Sequence, residues 1–212
     1  MTNGRFIALE GGEGVGKSTQ ARLLAEALEA RGISTVLTRE PGGTPGAEAI
    51  RSLLLYPPTE GWNARAEALL FAAARSDHVD RLIQPALAEG KWVVCDRFLD
   101  SSRAYQGGGG GLTDRDIMAL HTVGSEGILP DLTLLLEAAS SATQQRLAAR
   151  DTDGSDAIGG RDAAYHARVA KAFGRLADAE PARFARIDGD GDPQTVHDRI
   201  MASINALLDD RQ

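Results

Sequence analysis

Residues 11–18 read Gly-Gly-Glu-Gly-Val-Gly-Lys-Ser, a complete G-x-x-x-x-G-K-S pattern, directly after the apolar run Phe6–Leu9 and directly before a helix-compatible stretch. A glycine-rich turn between a strand and a helix lets successive backbone N–H groups point into one concavity with no Cβ in the way, and an anion fills it. The helix that follows turns its positive end toward the same point. Gly11, Gly12, Glu13, Gly14, Val15, Gly16, Lys17, Ser18 and Thr19 are therefore the candidates to hold a nucleoside triphosphate. In that arrangement Lys17 reaches the β- and γ-phosphates and the Ser18 hydroxyl meets Mg²⁺. Downstream, Ala21, Leu24, Ala25 and Leu28 form one apolar helical stripe, and Gly32 stands where such a helix would be capped.

With 212 residues, 42% hydrophobic and 25% charged, the chain suffices for one well-buried α/β domain and falls short of two. A net charge of −7 with scattered basic residues argues against a general nucleic-acid binder. The lone cysteine, Cys95, can form no internal disulfide and reads as core packing. No run approaches the roughly 18 apolar residues of a membrane span. The first strand begins within a few residues of the start, leaving no room for a signal peptide, so a soluble cytoplasmic protein without a membrane partner is expected.

Apolar runs recur at Phe6–Leu9, Ile33–Leu37, Trp92–Cys95, Leu132–Leu136 and Phe184–Ile187, with long helix-compatible spacers. Continuous rather than alternating, they read as five buried parallel strands of a doubly wound α/β sheet. Ligands of such sheets sit beyond the carboxyl ends of the strands, where Glu10–Ser18, Thr38–Thr44, Asp96–Gln106 and the residues after Glu137 fall. The polar, glycine-rich stretch 151–160 is flanked by Arg146, Arg150, Arg161 and Arg168; beside a phosphate loop it reads as a lid, at about 146–168 of one domain spanning 1–212. The run Gly107–Gly111 suits either a loose connector or backbone approach to a ligand.

Three further segments narrow the second substrate. They are Thr38-Arg39-Glu40-Pro41-Gly42-Gly43-Thr44 after the second strand, Ala66–Arg75 in a helix, and Asp96-Arg97-Phe98-Leu99-Asp100-Ser101-Ser102-Arg103-Ala104-Tyr105-Gln106-Gly107 after the third. With the loop, their order and spacing resemble the thymidylate kinases along nearly the whole chain. The resemblance implies a phosphate-loop nucleoside monophosphate kinase fold: a five-stranded parallel sheet in the order 2-3-1-4-5, helices on both faces and a short lid. It implies transfer of the γ-phosphoryl of ATP to dTMP with Mg²⁺, and a homodimer.

An acceptor phosphate is already anionic, so the reaction asks for alignment and cations rather than a general base. Asp96, at a strand end, is placed to approach Mg²⁺ directly or through water, with a helix N-cap as the plainer alternative. Arg97 offers a bidentate fork for the acceptor phosphate. Phe71, Arg75 and His78 share a helix face. The resemblance makes Phe71 stack on thymine and Arg75 bond its O4, while His78 is read as structural. It assigns Ser102, Tyr105 and Gln106 to the base and sugar, Glu40 and Pro41 to the enclosing loop, and Glu13 to the acceptor or its cations. Pro85 is expected to bend or end its helix.

The chain departs from the family in its lid. Relatives without an arginine in the phosphate loop supply one from an Asp-Arg pair that would fall at Asp156-Ala157, and Ala157 carries no charge. Arg150 and Arg161 become the candidates for closing over the triphosphate. Ile187-Asp188-Gly189-Asp190 falls where the family builds part of the adenine pocket. Another monophosphate kinase remains the nearest rival; a nucleotide switch protein would need an N-K-x-D motif, which is missing.

Overall fold

The computed structural model describes residues 4–57, 61–138 and 157–209. Its centre is a parallel sheet of β1 (Phe6–Glu10), β2 (Thr35–Arg39), β3 (Trp92–Asp96), β4 (Leu132–Glu137) and β5 (Phe184–Asp188), in the order β2-β3-β1-β4-β5. The central strands alternate between two apolar layers. Ile7, Leu9, Trp92 and Val94 face one side, packed on Leu24 and Leu28 of α1 (Lys17–Ala30) and on Val196 and Ile200 of a C-terminal helix, Pro193–Ser203. Phe6, Ala8, Val93 and Cys95 face the other, against Ile117 of a helix at Asp114–Ser125 and Ala68 of a helix that follows α2 (Pro45–Leu55), namely α3 (Ala64–His78).

The expected stripe Ala21, Leu24, Ala25 and Leu28 is buried as a unit. Gly32, at φ 75, closes α1 with Ile33 N–H on the Leu28 carbonyl and Gly32 N–H on that of Glu29, a Schellman cap. This cap corrects the second strand. Ile33 is buried against the end of α1, so the strand starts two residues later, at Thr35, and runs on to Arg39. As the sheet's edge, β2 is only partly covered, with Leu37 exposed.

Pro85 does not end its helix. A π turn at Val79–Ile83 directly precedes it, and the helix carries on over Gln84–Ala88 with Pro85 as the second residue of that stretch. Within the glycine run, Gly108 and Gly109 are packed rather than loose. A Cβ on Gly108 would lie 2.3 Å from the Ala172 Cβ, and one on Gly109 would lie 2.6 Å from the Tyr165 ring. These glycines let the π-helical segment Arg103–Gly109 pack against the helix α4 at Ala163–Ala179. Of the expected lid, residues 146–156, with Arg146 and Arg150, lie outside the described residues.

Candidate active site

Strand register sets the site. β1 and β3 run side by side with Leu9 opposite Asp96, so the phosphate loop and the Asp96-Arg97 step leave the sheet together. Gly11 stands at φ 136, where a Cβ would come within 2.4 Å of the Leu136 carbonyl oxygen. α1 has no side-chain cap and no acid in its first turn, whereas Thr44, Asn63, Thr113, Asp162 and Asp192 cap the other long helices. Its first N–H donors are left for an anion. Lys17 folds over the loop, donating to the carbonyls of Gly12 at 2.6 Å and Gly11 at 3.2 Å.

Arg97 has φ 71, left-handed backbone that a non-glycine residue adopts at a cost of about 1–3 kcal/mol. The turn ends the strand's alternation, so neighbours Asp96 and Arg97 line the same cavity. Its N–H donates to the Leu9 carbonyl, and its guanidinium is caged by Gly11 O (3.1 Å), Ser101 Oγ (3.0 Å), Glu13 Oε1 (2.7 Å) and Tyr105 Oη (3.2 Å). Burial opposes the Arg97 charge, but Glu13 and other acids outweigh it and raise its pKa. Burial likewise opposes the Glu13 carboxylate, yet Arg97 and then Lys17 hold its pKa down to about 2. Glu10, wholly buried, accepts from the N–H groups of Phe98 and Ser101 and from the Ser101 hydroxyl, so it anchors this segment to β1. Its pKa is raised to about 7 by burial and then by Asp100.

Asp96 is the end of β3 and caps no helix, which removes the plainer alternative. One of its oxygens accepts from the Ser18 hydroxyl at 2.5 Å; the other, Oδ1, is buried with no partner among the described residues.

A cavity of about 220 Å³ opens from Lys17, Ser18 and Asp96 toward Glu40, Pro41, Phe71, Arg75, Arg97, Ser102, Tyr105 and Gln106, so every acceptor-side residue named from the sequence lines it. Its far wall is a buried chain of polar contacts. Arg75 donates to Glu40 (2.7 Å) and Ser102 (3.0 Å), His78 Nδ1 meets Glu40 at 3.1 Å, and His78 Nε2 meets Thr38 Oγ1 at 2.7 Å. His78 thus fixes Glu40, consistent with its structural reading. Gly43, at φ 88, passes so close that a Cβ would reach within 2.6 Å of His78 Nε2.

Arg51, Leu55 and Ile158 line the cavity and escaped the sequence reading. Arg51 of α2 donates to the Pro41 carbonyl at 2.7 Å, and Ile158 stands over the same cavity. Gly11, Gly12 and Val15 face a second, more apolar cavity of about 630 Å³, shared with Glu137, His166 and Phe173. Thr19 lines neither cavity, and Asp188–Asp190 lie at the end of β5, with Gly189 N–H on the Glu137 carbonyl. Arg161 also lines neither: its guanidinium is bound to Glu67 and donates to Tyr165 Oη at 2.7 Å.

A phosphate cradle joined to a cavity with its own arginine defines a phosphate-loop nucleotide kinase. The family model for thymidylate kinase matches residues 9–200, and the chain belongs to that family. A thymidylate kinase of Rhizorhabdus wittichii is 58% identical over 205 residues, 97% of this chain and 99% of that one. One from Chromohalobacter salexigens is 50% identical, with 98% of each covered. The crystal structure of a thymidylate kinase from Ehrlichia chaffeensis superposes with a TM-score of 0.78 at 32% identity, covering 95% of this chain and 99% of that one.

Burial, followed by the nearby Arg97 charge, lowers the Lys17 pKa to about 8. The free enzyme therefore loses this cation as pH rises through that value. Affinity for an ATP analogue should weaken above about pH 8, by up to about tenfold per unit, and Lys17→Met should flatten the dependence. Calorimetric titration between about pH 7 and 9.5 checks this.

Proposed function

We infer that this chain transfers the γ-phosphoryl group of ATP to dTMP, giving dTDP and ADP, where the phosphate loop meets the acceptor cavity. The observation that carries the reading is convergence: residues from four separate segments line one cavity that opens onto Lys17 and Ser18. In this reading Phe71 stacks on the base, while Arg75, Ser102 and Gln106 address its polar edge. Tyr105 stands by the sugar. Arg97 and Arg51 meet the acceptor phosphate, whose oxygen attacks without a general base. Glu13 keeps the Arg97 fork aimed across the cavity until a phosphate arrives.

The unpartnered Asp96 Oδ1 and the adjacent Ser18 hydroxyl fit Mg²⁺, which takes few protein oxygens and fills its shell with phosphate and water. When bound there, the ion supplies charge neutralisation at the β- and γ-phosphate oxygens. Arg150, which lies outside the described residues, is the proposed cation for the transferring group; Arg161 lines neither cavity and is held by Glu67. A homodimer is assigned to the exposed face of α3 and the helix Asp114–Ser125, where Leu69 (57%) and Val123 (88%) lie uncovered. Light scattering should give twice 22.4 kDa; a monomeric mass contradicts this assignment.

A coupled ADP-release assay offering dTMP, dUMP, dGMP, CMP and thymidine tests the substrate. dTMP should be preferred, and preference for any other acceptor overturns the reading. Arg97→Ala should lower kcat/KM for dTMP by about 10²–10³ while the thermal midpoint stays high enough for assay.

A further inference from the structure

Glu67 is a buried carboxylate with no place in the reaction as described. It sits on α3, one turn before Phe71, and its two oxygens serve two different parts of the molecule. Oε1 accepts from Gln106 Nε2 at 2.8 Å, on the wall of the acceptor cavity. Oε2 accepts from Arg161, in the segment that leads into α4. Arg161 also stacks on the Tyr165 ring, 4.7 Å from its centroid, and the Tyr165 hydroxyl donates to the Tyr105 carbonyl at 3.0 Å. The same short segment is pinned at its other end by Ala157 N–H on the Leu55 carbonyl, at the end of α2. Between the two pins lies Ile158, buried against the aromatic cluster and forming part of the acceptor cavity's wall.

We infer that Glu67 is a positioning residue for the acceptor: its carboxylate sets Gln106 and, through Arg161, seats the Ile158 wall over the bound nucleoside. This rests on the reading of the cavity as the dTMP site. Arg161 then acts on the acceptor side, not on the transferring phosphate. The Arg161 end is replaceable without opening the core, since that side chain is partly exposed while Glu67 is buried. Glu67→Gln can keep its oxygen as the acceptor for Gln106, while its NH2 replaces the oxygen that meets Arg161 and sets a donor against the guanidinium.

The test measures KM for dTMP and for ATP in Glu67→Gln, Arg161→Gln and the double variant. Losing one charged hydrogen bond should raise the dTMP KM about tenfold in each single variant, with the double no worse. KM for ATP should stay within about twofold, a split that general loss of structure would not produce. Amide exchange at Ala157 and Arg161 should rise in both variants without any nucleotide, a readout independent of the substrate's identity. A dTMP KM within about twofold of wild type in either single variant, or effects that multiply in the double, overturns the inference. Failure of the acceptor reading would show separately, as wild-type enzyme that does not prefer dTMP.

Discussion

The site depends on the pairing of β1 with β3. Leu9 lies opposite Asp96, and the Arg97 N–H continues the ladder onto the Leu9 carbonyl. That register delivers a phosphate cradle and an Asp-Arg pair to one point from chain segments some eighty residues apart. A slip by one residue would turn every side chain of β3 to the opposite face and take the Asp96 carboxylate away from Ser18. The left-handed turn at Arg97 is the local cost of this junction. It is held by Glu10, whose buried carboxylate ties residues 98 and 101 to the end of β1.

An acidic chain must still present positive charge to two phosphorylated ligands, and it does so by local means. The N-terminus of α1 is left uncapped, Lys17 is buried over the loop, and Arg97 is held charged by Glu13. Arg75 is balanced in the same way by Glu40. Both guanidinium groups are aimed by a carboxylate, so these forks are ordered before a ligand enters. That preorganisation is what a transfer relying on alignment requires.

Much of this was legible in the sequence for physical reasons. The central strands are buried on both faces, and continuous apolar runs can hardly be anything else. The phosphate loop declares itself within a dozen residues, whereas the roles of Phe71, Arg75, Ser102, Tyr105 and Gln106 came with the family resemblance, because spacing alone makes Phe71 an ordinary core residue. The edge strand was misplaced because Ile33 looks equally apolar whether it caps a helix or pairs in a sheet. Both π turns were invisible, since hydrophobic spacing does not report a change of hydrogen-bond partner. Glu67 and Arg161 are 94 positions apart, and nothing local marks either as the other's partner. Arg51 likewise sits in an ordinary helical stretch, its role appearing only when α2 folds over Pro41.

On the proposed function, donor and acceptor occupy adjoining halves of one site, with their phosphates meeting between Lys17 and Arg97. A thymidine and an adenosine joined through a five-phosphate bridge tests this most directly, because such a molecule can satisfy both halves only if they adjoin in that geometry. Inhibition should be competitive against ATP and against dTMP, with affinity well above that of either nucleotide alone. Competition against only one substrate, or affinity no better than the tighter single nucleotide, would contradict it.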